Sequence, residues 1–176
     1  MGTCIRPQSD GPDLHYLFAP VKRARLDFMI QKATELGVSA ICPVMTRHTV
    51  AARVKQERMR ANAIEAAEQC GVLRVPDILE PVKLEKLLSG WPTDRTLVYC
   101  DEEAPIASPL DALNACARGP LALLIGPEGG FHEAERELLR AQSFIVPISL
   151  GPRIMRSDTA AVAALALINA VLGDWR

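Results

Sequence analysis

Short apolar runs recur along this chain with helix-like stretches between them, and that alternation limits the possible folds more than any other feature. Residues 14–19, 40–45, 96–100, 121–125 and 144–148 are short runs rich in apolar side chains. The last three have the look of strands covered on both faces. Between the first two, residues 24–36 place Leu26, Met29, Ile30 and Ala33 at helical spacing and stop at Gly37. Residues 53–70 put Met59, Ala63, Ala66, Ala67 and Cys70 on one helical face. Further helical stretches lie near 83–89, 109–117 and 132–142. The pattern predicts an α/β fold: a parallel sheet with helices on both faces, and a ligand site at the C-terminal ends of the strands. With 176 residues there is material for one core. We place a single domain over 14–176, preceded by a Pro/Gly-bearing arm over 1–13.

The last helix, over 158–172, is small and apolar nearly all the way round. Such a helix must be buried on every side, either inside the fold or at a subunit interface. Asp158 suits its start, where a carboxylate complements the positive dipole end. No apolar run approaches the roughly 20 residues that span a bilayer. Five scattered cysteines (Cys4, Cys42, Cys70, Cys100, Cys116) form no CxxC pair. They argue against a disulfide framework and a metal site, and for a reduced, cytoplasmic setting. Cys70 and Cys100 are expected to be small buried residues. Net charge is -1, yet residues 22–60 hold nine Lys/Arg against three acids and residues 65–138 six against fourteen. A basic face of this kind suits a phosphate backbone and is equally compatible with a solvated surface.

Two loops following predicted strands carry the chemistry. The first, Gly126-Pro127-Glu128-Gly129-Gly130-Phe131, is shaped for tight turning and close ligand approach. Glu128, Glu133 and Glu135 would repel a pyrophosphate, and the loop matches neither nucleotide-binding glycine pattern. A ligand with hydroxyls and positive charge suits it better; a sharp turn whose Glu128 caps the backbone fits the residues equally well. The second loop, 149–160, holds Leu150, Ile154 and Met155 as a possible apolar slot, flanked by Arg153 and Arg156. It is also compatible with a loop that only closes the core. No Ser/His/Asp set has nucleophile-elbow spacing. His15 and His48 read as surface or internally satisfied histidines.

Together, IGPEGGF (125–131), SLGPRIMRSDTAAVAAL (149–165), VKRARLDFMIQKATELGVSAICPVMT (21–46) and RANAIEAAEQCGVLRVPDI (60–78) closely resemble the recurrent blocks of the RsmE family. These are SPOUT-class enzymes that methylate N3 of a uridine in 16S ribosomal RNA. The resemblance, from about Leu14 to the end, implies a C-terminal trefoil knot, which ordinary topology rules would exclude. It implies S-adenosyl-L-methionine bent into three loops. The residues it assigns to the cofactor are Tyr99, Cys100 and Asp101; Gly126, Glu128, Gly129 and Gly130; and Ser149, Leu150, Gly151, Ile154, Met155, Thr159 and Ala160. It also implies a homodimer packed through the last helix.

The block usually resembling ILRTETA reads Ile154–Ala160 here with a shorter acid, Asp158; His132 stands where a small polar helix cap is commoner; and the residues before the matching blocks hold no counterpart of the family's N-terminal PUA-like RNA-binding barrel, as expected either of an excised domain or of a protein that finds RNA without that module. For the implied reaction, Arg156 is the candidate to stabilise an ionised uridine, and Asp158 is either a proton acceptor or its own helix's cap. Lys22, Arg25, Lys32, Arg47 and Arg53 are the candidate phosphate contacts. A ribose 2′-O-methyltransferase of the same class and a non-catalytic RNA-binding module are the competing readings.

Overall fold

The computed structural model describes residues 11–50, 54–104 and 108–175. Six helices and seven strands alternate in the order β1 (Leu14–Phe18), α1 (Arg23–Glu35), β2 (Ala40–Met45), α2 (Gln56–Cys70), β3 (Asp77–Ile78), β4 (Val82–Lys83), α3 (Leu84–Ser89), β5 (Thr96–Cys100), α4 (Pro109–Asn114), β6 (Leu121–Ile125), α5 (Glu133–Arg140), β7 (Ile145–Ile148) and α6 (Ser157–Val171). The strands form one sheet in the order β3-β2-β1-β6-β5-β7, every pair parallel, with β4 also paired to β2. Pro43 offers no amide to a ladder. It falls where the outer partner of β2 changes, since β3 ends opposite Ile41 and β4 begins opposite Val44.

Side-chain alternation divides the core in two. Tyr16, Phe18, Val98, Leu123 and Ile125 face one cluster with α1, α2, α4 and α6, while Leu17, Leu97, Tyr99 and Leu124 face the other with α3 and α5. Gly37 (φ 77) and Gly71 (φ 64) take the left-handed conformation that ends α1 and α2. Cys70, the last residue of α2 beside that second stop, is exposed rather than buried.

The last helix is fully buried along one side only in the single chain. Ala160, Ala161, Ala164, Leu165 and Ile168 are buried, but Val162, Ala163, Ala166, Leu167 and Val171 keep half-buried faces. One stripe packs on α1, α4 and β6; the other is apolar and only half-covered in the single chain. Asn169, its single polar residue past the first turn, donates from Nδ2 to the Leu36 carbonyl at 2.8 Å and pins α6 to the end of α1. The crossed order β6-β5-β7 is consistent with the implied knot. No helix among the described residues is long and apolar enough to cross a membrane.

Candidate active site

The C-terminal ends of β5, β6 and β7 open on a cavity of about 310 Å³. That is the low end of the roughly 300–1,000 Å³ typical of small-molecule sites. Three loops wall it, as expected for parallel strands whose ends converge.

The glycine loop is held by its own backbone and by its neighbours. The Gly130 amide donates to the Pro127 carbonyl at 2.9 Å, and Gly130 has φ 70. The Phe131 ring folds back so closely that a Cβ on Gly126 would stand 2.5 Å from it. Ser157 at the start of α6 donates to the Gly126 carbonyl at 3.3 Å and joins this loop to the one after β7. In that second loop Gly151 (φ 99) donates its amide to Ser149 Oγ at 3.3 Å.

From the sequence-derived set, Cys100, Asp101, Gly126, Glu128, Gly130, Ser149, Leu150, Gly151, Ile154, Met155, Arg156 and Ala160 line the cavity. Tyr99 does not. Adjacent strand residues face opposite ways, and Tyr99 is buried in the other core cluster, edge-on to Phe131 with centroids 5.2 Å apart. Gly129 and Thr159 also lie off the wall, Thr159 pointing outward from the first turn of α6. Asp158 is a further correction. The N-cap of α6 is Arg156, the helix begins at Ser157, and the Asp158 carboxylate takes the Thr159 amide at 2.9 Å without reaching the wall. Burial pushes the half-buried Cys100 thiol up to about 12, so it stays protonated and is no nucleophile at neutral pH.

The basic candidates divide. Arg25 reaches across from α1 to pair with Glu128, so that carboxylate is held by a side chain and does not cap its own loop. Lys32 is engaged within α1, at 2.7 and 2.8 Å from the Glu35 oxygens and 5.6 Å from the Phe28 ring centroid. Lys22 and Arg47 are exposed at the ends of the β1 and β2 connections. Arg53 lies outside the described residues.

A model of the RNA methyltransferase domain family matches residues 9–169. The chain belongs to that family. Two curated relatives carry the name ribosomal RNA small subunit methyltransferase E. The Rickettsia conorii protein is 33% identical over 152 residues, 86% of this chain and 62% of that protein. The Bacillus subtilis protein is 34% identical over 159 residues, 84% and 62% of the two lengths. The chain thus spans about three fifths of these relatives. Among solved structures, the Neisseria gonorrhoeae ribosomal RNA small subunit methyltransferase E bound to S-adenosyl methionine is 27% identical, with a TM-score of 0.83 over 94% of this chain and 68% of that one. The Streptomyces viridochromogenes SpoU methyltransferase AviRb is 20% identical with a TM-score of 0.58 over 89% of this chain and 58% of that one, a likeness of fold alone.

In this RNA methyltransferase domain some site groups escaped sequence reasoning. Arg136 lines the cavity, beside Glu102, which closes the first of the three loops that the family resemblance assigns to the cofactor. His48, read from sequence as a bland histidine, donates from Nδ1 to the Gly130 carbonyl at 2.9 Å and so leans the β2 connection on the glycine loop. His132 stands at the cap of α5 as expected from the sequence and closes a capping box: the Ala134 amide donates to its Nδ1 at 3.2 Å, and its own amide donates to Glu135 Oε2 at 3.0 Å. The other Glu135 oxygen accepts the Arg47 amide at 2.8 Å. The available signal was in α5 itself, where Glu135, Arg136 and Leu139 share the buried face. Charged residues at core-facing positions require partners.

Proposed function

We propose that this chain is the methyl-transferring part of an S-adenosylmethionine-dependent enzyme that modifies N3 of a uridine in the 16S RNA of the small ribosomal subunit. It would act in the cytoplasm as a homodimer. The observation that carries this reading is the three-loop cavity, whose walls suit that donor. Ile125, Ile148, Leu150 and Met155 offer an apolar slot for a purine; Asp101, Glu102 and Glu128 suit positively charged groups; and Gly151 leaves open space where a side chain would stand. The donor, when bound, supplies a methyl group already activated on a sulfonium.

The residues of the chain then have to orient and stabilise. Arg156, exposed at the cavity edge, places a fixed positive charge where negative charge develops on the ionised base. Lys22 and Arg47, with His48 beside the glycine loop, form the surface on which RNA phosphates approach the cavity. The Arg25–Glu128 pair is half-exposed on both sides and worth less than about 1 kcal/mol, weak enough for a phosphate to displace. The half-covered stripe of α6 supplies the apolar face of the homodimer.

The test is calorimetric titration with S-adenosylmethionine, followed by nucleoside analysis of small subunits incubated with protein and donor. Binding together with 3-methyluridine is the expected outcome. A 2′-O-methylated nucleoside would assign ribose chemistry instead, and absence of donor binding would leave an RNA-binding module.

A further inference from the structure

We propose that Arg136 is a positioning residue of the donor pocket, setting affinity for S-adenosylmethionine by holding Glu102 at the cavity wall. This rests on the methyl-donor reading above. Arg136 stands on α5 with its side chain 7% exposed. Its Nε donates to the Phe131 carbonyl at 3.1 Å, its Nη2 donates to Glu102 Oε1 at 3.0 Å, and its Nη1 pairs with Glu103 and lies 3.7 Å from Asp101 Oδ1. One planar group therefore ties the residue that ends the glycine loop to three consecutive acids after β5. Arg140 completes the arrangement, donating to Asp101 Oδ2 at 2.9 Å.

Without these two cations the adjacent carboxylates would repel one another and swing toward water. With them, Glu102 has one oxygen engaged by Arg136 and its second left to accept from a hydroxyl or an ammonium in the cavity. Gly130 makes room for the pair, since a Cβ there would stand 2.7 Å from Glu102 Oε1 and 3.2 Å from Arg136 Nη2. A lysine could not replace the guanidinium, because it lacks the planar fork that meets several partners in fixed directions.

The experiment is a double-variant cycle read by calorimetry: S-adenosylmethionine titrated into wild type, Arg136→Lys, Glu102→Gln and the double variant, with circular dichroism melts of each. Each single variant is expected to weaken binding tenfold or more, and the double variant no further than the weaker single. Methyl transfer should show a raised KM for the donor with kcat retained at saturation. Losses that multiply in the double variant overturn the proposal, because Arg136 then does not act through Glu102. Wild-type affinity in folded Arg136→Lys overturns it too. If Arg136→Lys melts below the assay temperature, Glu102→Gln decides, and unchanged affinity there is equally fatal. Failure of the wild type to bind the donor strikes instead at the functional reading, and this inference falls with it.

Discussion

After β6 and β7 the chain turns through glycines, and after β5 through acids held by the nearly buried Arg136 of α5, whereas after β1 and β2 it turns through exposed basic side chains. Both sets of loops sit at the same end of one parallel sheet. The first set is shaped by backbone: Gly126, Gly130 and Gly151 admit contacts or dihedrals that a side chain would forbid. The second is shaped by side chains, with Lys22 and Arg47 exposed and His48 donating to the Gly130 carbonyl of the glycine loop. The difference teaches how one architecture can separate two tasks. A small ligand needs a closed, exact wall, while a polyanion needs charge that remains in water.

Gly130→Val should give the largest effect. The positive φ strains any β-branched residue, and its Cβ would collide with the Glu102–Arg136 pair. Donor binding should be lost with the fold retained, and unchanged calorimetric affinity in a folded variant would remove the loop from the site. Next is Ala163→Arg on the half-covered stripe of α6. A buried unpaired charge costs several kcal/mol, so the proposed homodimer should give way to monomer. Wild-type protein sedimenting as a monomer at micromolar concentration would contradict this. Arg156→Ala should lower the single-turnover methylation rate about 10²-fold with donor affinity little changed. Arg156→Lys should rescue in part if charge is the main requirement, and a wild-type rate in the alanine variant ends the assignment.

On the side-chain-built half the effects shrink. Lys22→Ala should reduce the slope of log affinity for RNA against log salt by about 0.7–0.9, uniformly across sequences, while leaving donor binding alone. An unchanged slope would return Lys22 to the solvated surface. The smallest effect concerns alkali. Burial pushes the Cys42 thiol up to about 11 and the Cys100 thiol up to about 12, from 9 in the unfolded chain. Above pH 9 the native state therefore holds protons that the unfolded state has released. This stabilisation is full below pH 9 and falls as pH rises through the 9–12 window, by at most about 1.4 kcal/mol per unit and thiol. Thermal melts between pH 8 and 10.5 should show the decline and a shallower one in Cys42→Ala; equal slopes would refute the shift.

The elements were legible to within a residue or two where the signal was local. Strands 40–45, 96–100 and 121–125 fall where the apolar runs stand, and α1 stops before Gly37. The two-residue strands β3 and β4 were not legible, because two residues carry no period and the break around Pro43 exists only in the pairing. The family blocks located the cavity loops but not their faces. Alternation requires Tyr99 and Cys100 to point oppositely, and only packing decided that Cys100 faces the cavity.

Local sequence thus determined the strand–helix order, the glycine stops and the family membership, because each is written in neighbouring residues or in blocks of them. The tertiary structure alone decided which charges meet. Arg136 with the acids after β5, Arg25 with Glu128, and His48 with the Gly130 carbonyl join residues far apart in the chain. Such partners are set by strand order and by the direction of each side chain from its strand or helix, which no sequence period encodes.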